Sequence, residues 1–226
     1  METPRPLPRL APTLPFKFVG GRPSLDLLNT ADWPSSGPAV DRLSSYGRVL
    51  EWAVEAGVLG TAVAARLRKQ AASDPAGAER ALERSRELRR LLHRSVVALV
   101  SGRGVAAALE RLTPSLHEAL PHLVLQPGAS AAAELRAGWS GMDASLEGPL
   151  WPVVWDAVQL LLSPEAERLR VCGGKDCGWV YVDRSRNGLR RWCEMETCGT
   201  TAKNRRRGRR PRPPSSSADR EDGTTV

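Results

Sequence analysis

All four cysteines of this 226-residue chain fall in one short window, as Cys172-x4-Cys177 and Cys193-x4-Cys198 with 15 residues between the pairs. Two close pairs joined by a short loop are what a tetrahedral zinc ion needs. Each pair curls the backbone so that two thiolates converge, and the loop brings the pairs together. The spacing therefore predicts one structural Zn²⁺ held by Cys172, Cys177, Cys193 and Cys198. A pair of disulfides is the alternative. It would suit a secreted chain, but Met1 to Pro15 is proline-rich and polar, with no apolar segment or cleavage site. That leader points to the cytoplasm, where thiols stay reduced and bind metal. Redox catalysis is disfavoured because the tighter Cys-x-x-Cys motif is missing.

The residues around the cysteines read as a compact finger. Trp179-Val-Tyr-Val182 is rich in strand formers, Ser185-Arg-Asn-Gly188 is a turn signal, and Leu189 to Trp192 reads as a returning strand. A treble-clef-like zinc hairpin results, with one cysteine pair beside each strand. Gly199 to Arg210 has no proline and carries a string of arginines, which predicts a short basic helix leaving the metal site.

Charge is concentrated on this finger. Residues 165–212 carry 14 Lys or Arg against 6 Asp or Glu, whereas the rest of the chain carries 19 of each. The whole net charge of +8 thus lies on the finger and its tail. A neutral body with a basic appendage is the electrostatic footprint of a polyanion binder. Candidate nucleic-acid contacts are Arg184, Arg186, Arg190 and Arg191 near the turn, and Lys203, Arg205, Arg206, Arg207, Arg209 and Arg210 on the helix. A solubilising tail or an anionic membrane surface would use the same charges. Fusion of the basic cluster to a metal-held hairpin favours nucleic acid.

Upstream the pattern is helical, and the fold class is mainly α with a small β element. Ser24 is a candidate cap for a helix through Leu25, Leu27 and Leu28. Ser45 to Gly57, Thr61 to Ala72, and Asp74 to about Val100 read as three further helices. Arg84, Arg86, Arg89 and Arg90 are expected on the solvated face of the last of these. Pro114 is expected to separate two short helices, and residues 122–136 suggest a weak strand pair. Trp151, Val154, Trp155, Val158 and Leu162 recur at three and four, so both tryptophans are expected on a buried helix face. Ser163-Pro-Glu165 begins a last helical segment that delivers Leu169 and Val171 to the finger.

No apolar run approaches the length of a membrane span, so no membrane partner is expected. No phosphate loop, nucleophile elbow or His-Glu-x-x-His motif is present, so the chain is expected not to be an enzyme. His93, His117 and His122 are scattered and read as structural. Asp26 and Asn29, one helical turn apart, either brace a helix end or line a pocket for a small effector.

The run from Cys172 through Gly-Trp-Val-Tyr-Val182 and Asn-Gly-Leu-Arg-Arg-Trp-Cys193 to Cys198-Gly-Thr-Thr resembles the CGNR zinc-finger family of bacterial proteins. Phe18-Val-Gly-Gly-Arg-Pro-Ser-Leu-Asp-Leu-Leu-Asn-Thr30 and Leu50-Glu-Trp-x4-Gly57 resemble that family's partner module, the ABATE domain. The resemblance implies a bacterial transcription regulator that binds DNA. The chain departs from the family at Thr200-Thr201, where the name-giving Asn-Arg would stand. Threonine has one hydroxyl and cannot contact guanine in a bidentate way, so weaker sequence selectivity is expected.

The organisation expected is a disordered leader at 1–15, a helical body at 16–164, the finger with its basic helix at 165–212, and a disordered tail at 213–226. The leading function is DNA-binding regulation, with the body sensing a signal or forming a homodimer. An RNA- or ribosome-associated module and an enzyme with a purely structural finger are the alternatives.

Overall fold

The computed structural model describes residues 9–10, 14–34, 40–128 and 135–208. Most of the leader, the loop after Pro34, the tail, and Arg209 and Arg210 lie outside these residues. Seven helices run among them: α1 (Pro23–Leu28), α2 (Tyr46–Glu55), α3 (Thr61–Ser73), α4 (Pro75–Ser101), α5 (Val105–Ala119), α6 (Trp151–Leu161) and α7 (Thr200–Gly208). The strands are β1 (Arg9–Leu10), β2 (Ala31–Asp32), β3 (Val40–Asp41), β4 (Leu123–Pro127), β5 (Leu135–Trp139), β6 (Leu169–Val171) and β7 (Val180–Val182). They form three small sheets ordered β1-β3-β2, β4-β5 and β6-β7. β1 pairs in parallel with β3, so a piece of the leader is structured where the composition suggests disorder.

α4 is the spine, and α1, α2, α3 and α5 pack on it. Local chemistry sets its ends. The Asp74 carboxylate accepts the Gly77 N–H at 2.8 Å, Pro75 supplies a preset φ at the first position, and Gly102 closes the helix in the left-handed region at φ 66°. Leu82, Leu88, Leu92 and Val96 form its buried stripe against Leu25, Leu28, Leu50 and Trp52. Each such side chain contributes about 1.5–3 kcal/mol when removed from water.

Several details differ from the sequence expectation. α5 runs unbroken through Pro114, because packing on α4 and α6 outweighs the one backbone bond that proline removes. α1 starts after Arg22 with Pro23 in its first turn, and the Ser24 N–H is taken by the Asp156 carboxylate at 2.9 Å. On α6 the buried stripe is Trp151, Val153, Val154, Ala157 and Leu160. Trp155 is only half-buried, and Leu162 is 83% exposed. The segment Pro164–Arg168 is a 3₁₀ turn capped by Ser163. The boundary expected near residue 164 does not divide the core, since Leu169, Val180 and Val182 belong to the same buried cluster as the helices.

Arg89 is the clearest correction. It is buried, and its guanidinium meets the Asp41 carboxylate in a two-pronged pair, with both N···O distances 2.7 Å. Asp41 also accepts the Leu43 N–H at 2.9 Å and lies 3.3 Å from Arg86 Nε, while Arg89 donates to the Thr30 hydroxyl at 2.9 Å. The pair pins β3 and the end of the α1 region to the spine. A helical stripe cannot reveal this, because the partner comes from a distant strand.

Removing one member of a buried pair leaves the other charge uncompensated, at a cost of about 3–5 kcal/mol. Asp41→Ala is therefore expected to lower the stability of the folded chain by that amount in urea melts. An unchanged midpoint would show that the pair does not hold β3 to α4.

Candidate metal centre

Cys172 ends just beyond β6, and the chain turns back through Gly173 to Gly178 before entering β7. The Cys172 N–H donates to the Trp179 carbonyl at 2.7 Å, so the ladder continues to the edge of the knuckle. Asp176 (φ 63°) and Gly178 (φ 64°) both take left-handed conformations, which folds Cys177 back beside Cys172. Gly178 also faces the backbone of Trp33 so closely that no side chain fits. At Gly174 an added Cβ would stand 2.8 Å from Cys198 Sγ.

The second pair arrives on a different element. After Cys193, residues Met195–Gly199 make a wide helical turn that runs directly into α7, so Cys198 is fixed to the helix. All four Sγ atoms lie within 4.8 Å of one another, and the Cys177–Cys193 and Cys193–Cys198 separations are both 3.7 Å. A tetrahedral zinc with bonds of about 2.3 Å places its sulfurs about 3.8 Å apart. A disulfide would need about 2.05 Å. The donor set therefore fits one structural zinc ion. Cys172 Sγ accepts the Gly174 N–H at 3.4 Å and the Cys193 N–H at 3.2 Å. Hydrogen bonds from the Cys177 and Cys193 thiols, joined by these amides, lower its pKa, and the same sharing pushes Cys177 and Cys193 up. In the metal-free cluster one thiolate is therefore shared, and a metal would be needed to hold all four as thiolates. Thiolate is the form a metal requires.

The strand expected at Leu189 to Trp192 does not form. β7 pairs with β6 instead, in the register Leu169↔Val182 and Val171↔Val180. Both faces of β7 are buried, and apolar Leu169 and Val171 satisfy it better than a segment whose Leu189 is 75% exposed. The turn at Ser185 to Gly188 is present, with the Gly188 N–H on the Ser185 carbonyl at 3.2 Å. Buried Asp183 organises the return. It accepts the Ser185 N–H, the Ser185 hydroxyl and the Arg190 N–H, and the Ser185 bonds hold its carboxyl below the usual range. Asp183-x-Ser185 is a local turn signal legible in the sequence.

The candidate cations separate into two groups. Arg190 is structural: its guanidinium lies 4.1 Å over the Tyr181 ring and donates to the carbonyls of Trp192, Cys193 and Val19. Arg184 is paired with Glu165 at 2.7 Å. Arg186, Arg191, Lys203 and Arg205 are exposed. Arg206 and Arg207 continue α7. Lys175, on the knuckle, joins the exposed group, although the charge runs of the sequence did not single it out.

The finger is seated on the body by polar clasps. Buried Asn29 donates to the Val180 carbonyl and accepts the Val180 N–H, both at 2.9 Å. The Trp33 N–H donates to the Cys177 carbonyl at 2.8 Å, and the Trp179 indole donates to Asp32 at 3.0 Å. His93 stacks on Trp33 at 4.1 Å and reaches the Gly178 carbonyl at 3.0 Å. Burial depresses its pKa to about 4, with Arg89 and Arg94 adding to the effect, so a neutral ring donates through Nε2. Lys17 pairs with Glu194. Asp26 accepts the Gly20 N–H at 2.8 Å. Asp26 and Asn29 thus brace internal contacts, and neither lines the finger groove of about 430 Å³ or the two small cavities of about 20 and 10 Å³.

Residues 21–164 match the ABATE family, described as a putative stress-induced transcription regulator, and residues 168–211 match the CGNR zinc finger. A search of curated proteins gives no match.

Two outcomes test this arrangement. Asn29→Ala leaves the Val180 N–H and carbonyl buried without partners, each costing about 1–3 kcal/mol. Thermal melts of the zinc-loaded variant should show that loss, and a wild-type melting curve would contradict the clasp. Asp26 is pushed up to about 7 by burial, opposed by the Gly20 N–H and reinforced by Asp156. Its folded pKa lies above the ordinary value of 3.8, so the stability it adds is full below that value and lost as pH rises toward 7. Asp26→Asn should flatten urea stability between about pH 4 and about pH 7 and cost nothing near pH 8. An unaltered pH slope would assign the titration to another group.

Proposed function

The chain belongs to the ABATE family and carries a CGNR zinc finger, and from that premise we propose that it regulates transcription by binding duplex DNA through the finger. The observation that carries this reading is the charge balance, since residues 165–212 carry 14 Lys or Arg against 6 Asp or Glu while the rest of the chain carries 19 of each. Among the described residues, the body's arginines at 42, 48, 66, 80, 84, 86, 89 and 90 sit in ion pairs, while Arg68, Arg94, Arg103, Arg111 and Arg136 are exposed without one and are spread over several helices, a loop and a strand. On the finger, Lys175, Arg186, Arg191, Lys203 and Arg205 make no ion pair with any described residue and are exposed. A metal-held unit keeps these charges at fixed relative positions, which suits phosphates spaced regularly along a duplex. Such contacts give affinity and salt dependence, with sequence read elsewhere.

Base reading falls to the first turns of α7. The Thr200 hydroxyl is spent on the Met195 carbonyl at 3.1 Å, which leaves Thr201 with one hydroxyl to offer. We therefore propose duplex binding with little sequence choice. No catalytic role is proposed for the chain. The reduced thiols suit a cytoplasmic setting, and none of the described helices is long and apolar enough to cross a membrane.

Fluorescence anisotropy across a salt series, with duplex DNA, single-stranded DNA and structured RNA of one length, tests the proposal. Duplex should bind most tightly. The triple variant Arg186→Ala, Arg191→Ala, Lys203→Ala should flatten the salt slope by ~2–3 units, near 0.9 for each lost phosphate contact. Arg190→Ala should lower the melting temperature of the finger without an equal change in slope. Tighter binding of RNA would favour the RNA-associated reading. Duplex affinity at low salt that survives the triple substitution unchanged would remove the finger as the binding surface.

A further inference from the structure

A sizeable concavity lies on the finger itself. It is a groove of about 430 Å³ between the zinc knuckle and α7, against about 20 and 10 Å³ for two others. Gly173, Gly174 and Lys175 form one side; Thr201, Ala202 and Arg205 form the other; Thr197 and Cys198 close the end.

The lining decides what fits. Gly173 and Gly174 carry no side chains, so their peptide planes form a bare, flat floor. The floor is backed by an aromatic ring, since a Cβ on Gly173 would lie 3.1 Å from the Trp192 indole. Lys175 and Arg205 are both exposed and make no ion pair with any described residue. A site with a flat, weakly polar floor and two cations at its rim accepts a planar ring carrying an anionic group. The volume points the same way. It lies within the range of about 300–1,000 Å³ for small-ligand sites, and a phosphate alone displaces only a few waters of about 30 Å³ each. Charge also fixes the orientation. Four thiolates around a divalent ion carry net negative charge, so an anion is held away from Cys198 and toward the rim.

We propose that this groove binds one nucleotide unit, with its base over Gly173–Gly174 and its phosphate between Lys175 and Arg205. The inference rests on the nucleic-acid reading above and deepens it, giving two of that reading's cations, Lys175 and Arg205, a single nucleotide unit to hold. The unit comes either from a free mononucleotide or from an unpaired residue of a strand.

The test uses the zinc-loaded full chain in amide NMR titrations with adenosine monophosphate, adenosine, inorganic phosphate, a plain duplex, and the same duplex carrying one unpaired adenosine. Adenosine monophosphate should shift the amides of Gly173, Gly174, Lys175, Thr201 and Arg205. Adenosine or phosphate alone should bind at least ~10-fold more weakly, the factor that about 1.4 kcal/mol represents. Lys175→Ala with Arg205→Ala should weaken the mononucleotide by at least the same factor; both side chains are exposed, so the fold should persist. If only the bulged duplex moves these amides, the unit is a strand residue and the proposal holds in that form. If no nucleotide or bulged duplex moves them while the plain duplex binds through Arg186, Arg191 and Lys203, the groove proposal fails and the regulator reading stands. If the mononucleotide binds and no duplex does, the groove proposal stands and the duplex reading fails.

Discussion

The two hydrogen bonds exchanged between Asn29 and Val180 are the constraint on which the rest of the molecule depends. β7 is buried on both faces, with Val180 and Val182 in the helical core and Tyr181 in the cluster around the cysteines. A strand in that position has little access to water, so its backbone groups need partners within the protein. β6 supplies partners on one edge, and the Asn29 amide and the Gly20 carbonyl supply them on the other. The segment from Gly20 to Trp33 therefore exists to receive the finger. Its glycine, aspartate, asparagine and tryptophan each meet a finger residue or hold a neighbour that does.

The metal completes what packing alone does not. The finger's own cluster is small, with Cys172, Trp179, Tyr181 and Cys193 buried and Trp33, Val19 and Trp192 around them. Without four metal bonds, little would keep the Cys193–Cys198 segment on the knuckle or fix the direction of α7. Zinc binding free energy then becomes folding free energy for that part of the chain. The functional consequence is electrostatic. Outside residues 165–212 basic and acidic side chains balance at 19 each, whereas the metal-held part carries the net positive charge and holds cations facing solvent.

Much of this was legible in the sequence. Four cysteines in two pairs name their own ion, the cap and stop residues of α4 mark its ends, and the charge map locates the cationic face. The failures share one cause, which is that long-range partners are invisible to local pattern. Leu189 to Trp192 alternates like a strand, yet β7 pairs with Leu169–Val171 because a doubly buried strand selects the more apolar neighbour. Arg84 and Arg90 stay only partly exposed, and Arg86 turns in toward Asp41 and the Leu43 carbonyl against the expectation of a solvated face. Asp41 from β3 makes the full burial of Arg89 tolerable. Pro114 reads as a break, yet the helix continues because it is packed on both α4 and α6. Asn29 and Asp26 read as either helix braces or a pocket pair, and the partners they brace, Val180 and Gly20, lie across the fold and at the helix entry, where spacing could not name them. Lys175 stands between Gly174 and Asp176 with no run of like charge to mark it, and it gains meaning only beside α7 across the groove.

The central claim is that finger and body form one cooperative unit joined at β7. Native-state hydrogen exchange of the zinc-loaded chain, before and after metal removal by a chelator, tests it most directly. The account predicts that the amides of Val180, Tyr181 and Val182 exchange with the same opening free energy as those of α1 and α4 while zinc is bound. It also predicts that removing zinc raises exchange in α1 and around His93 as well as in the knuckle. Exchange that rises only between Cys172 and Cys198, with α1 and α4 unaffected, would show two independent parts and contradict the account.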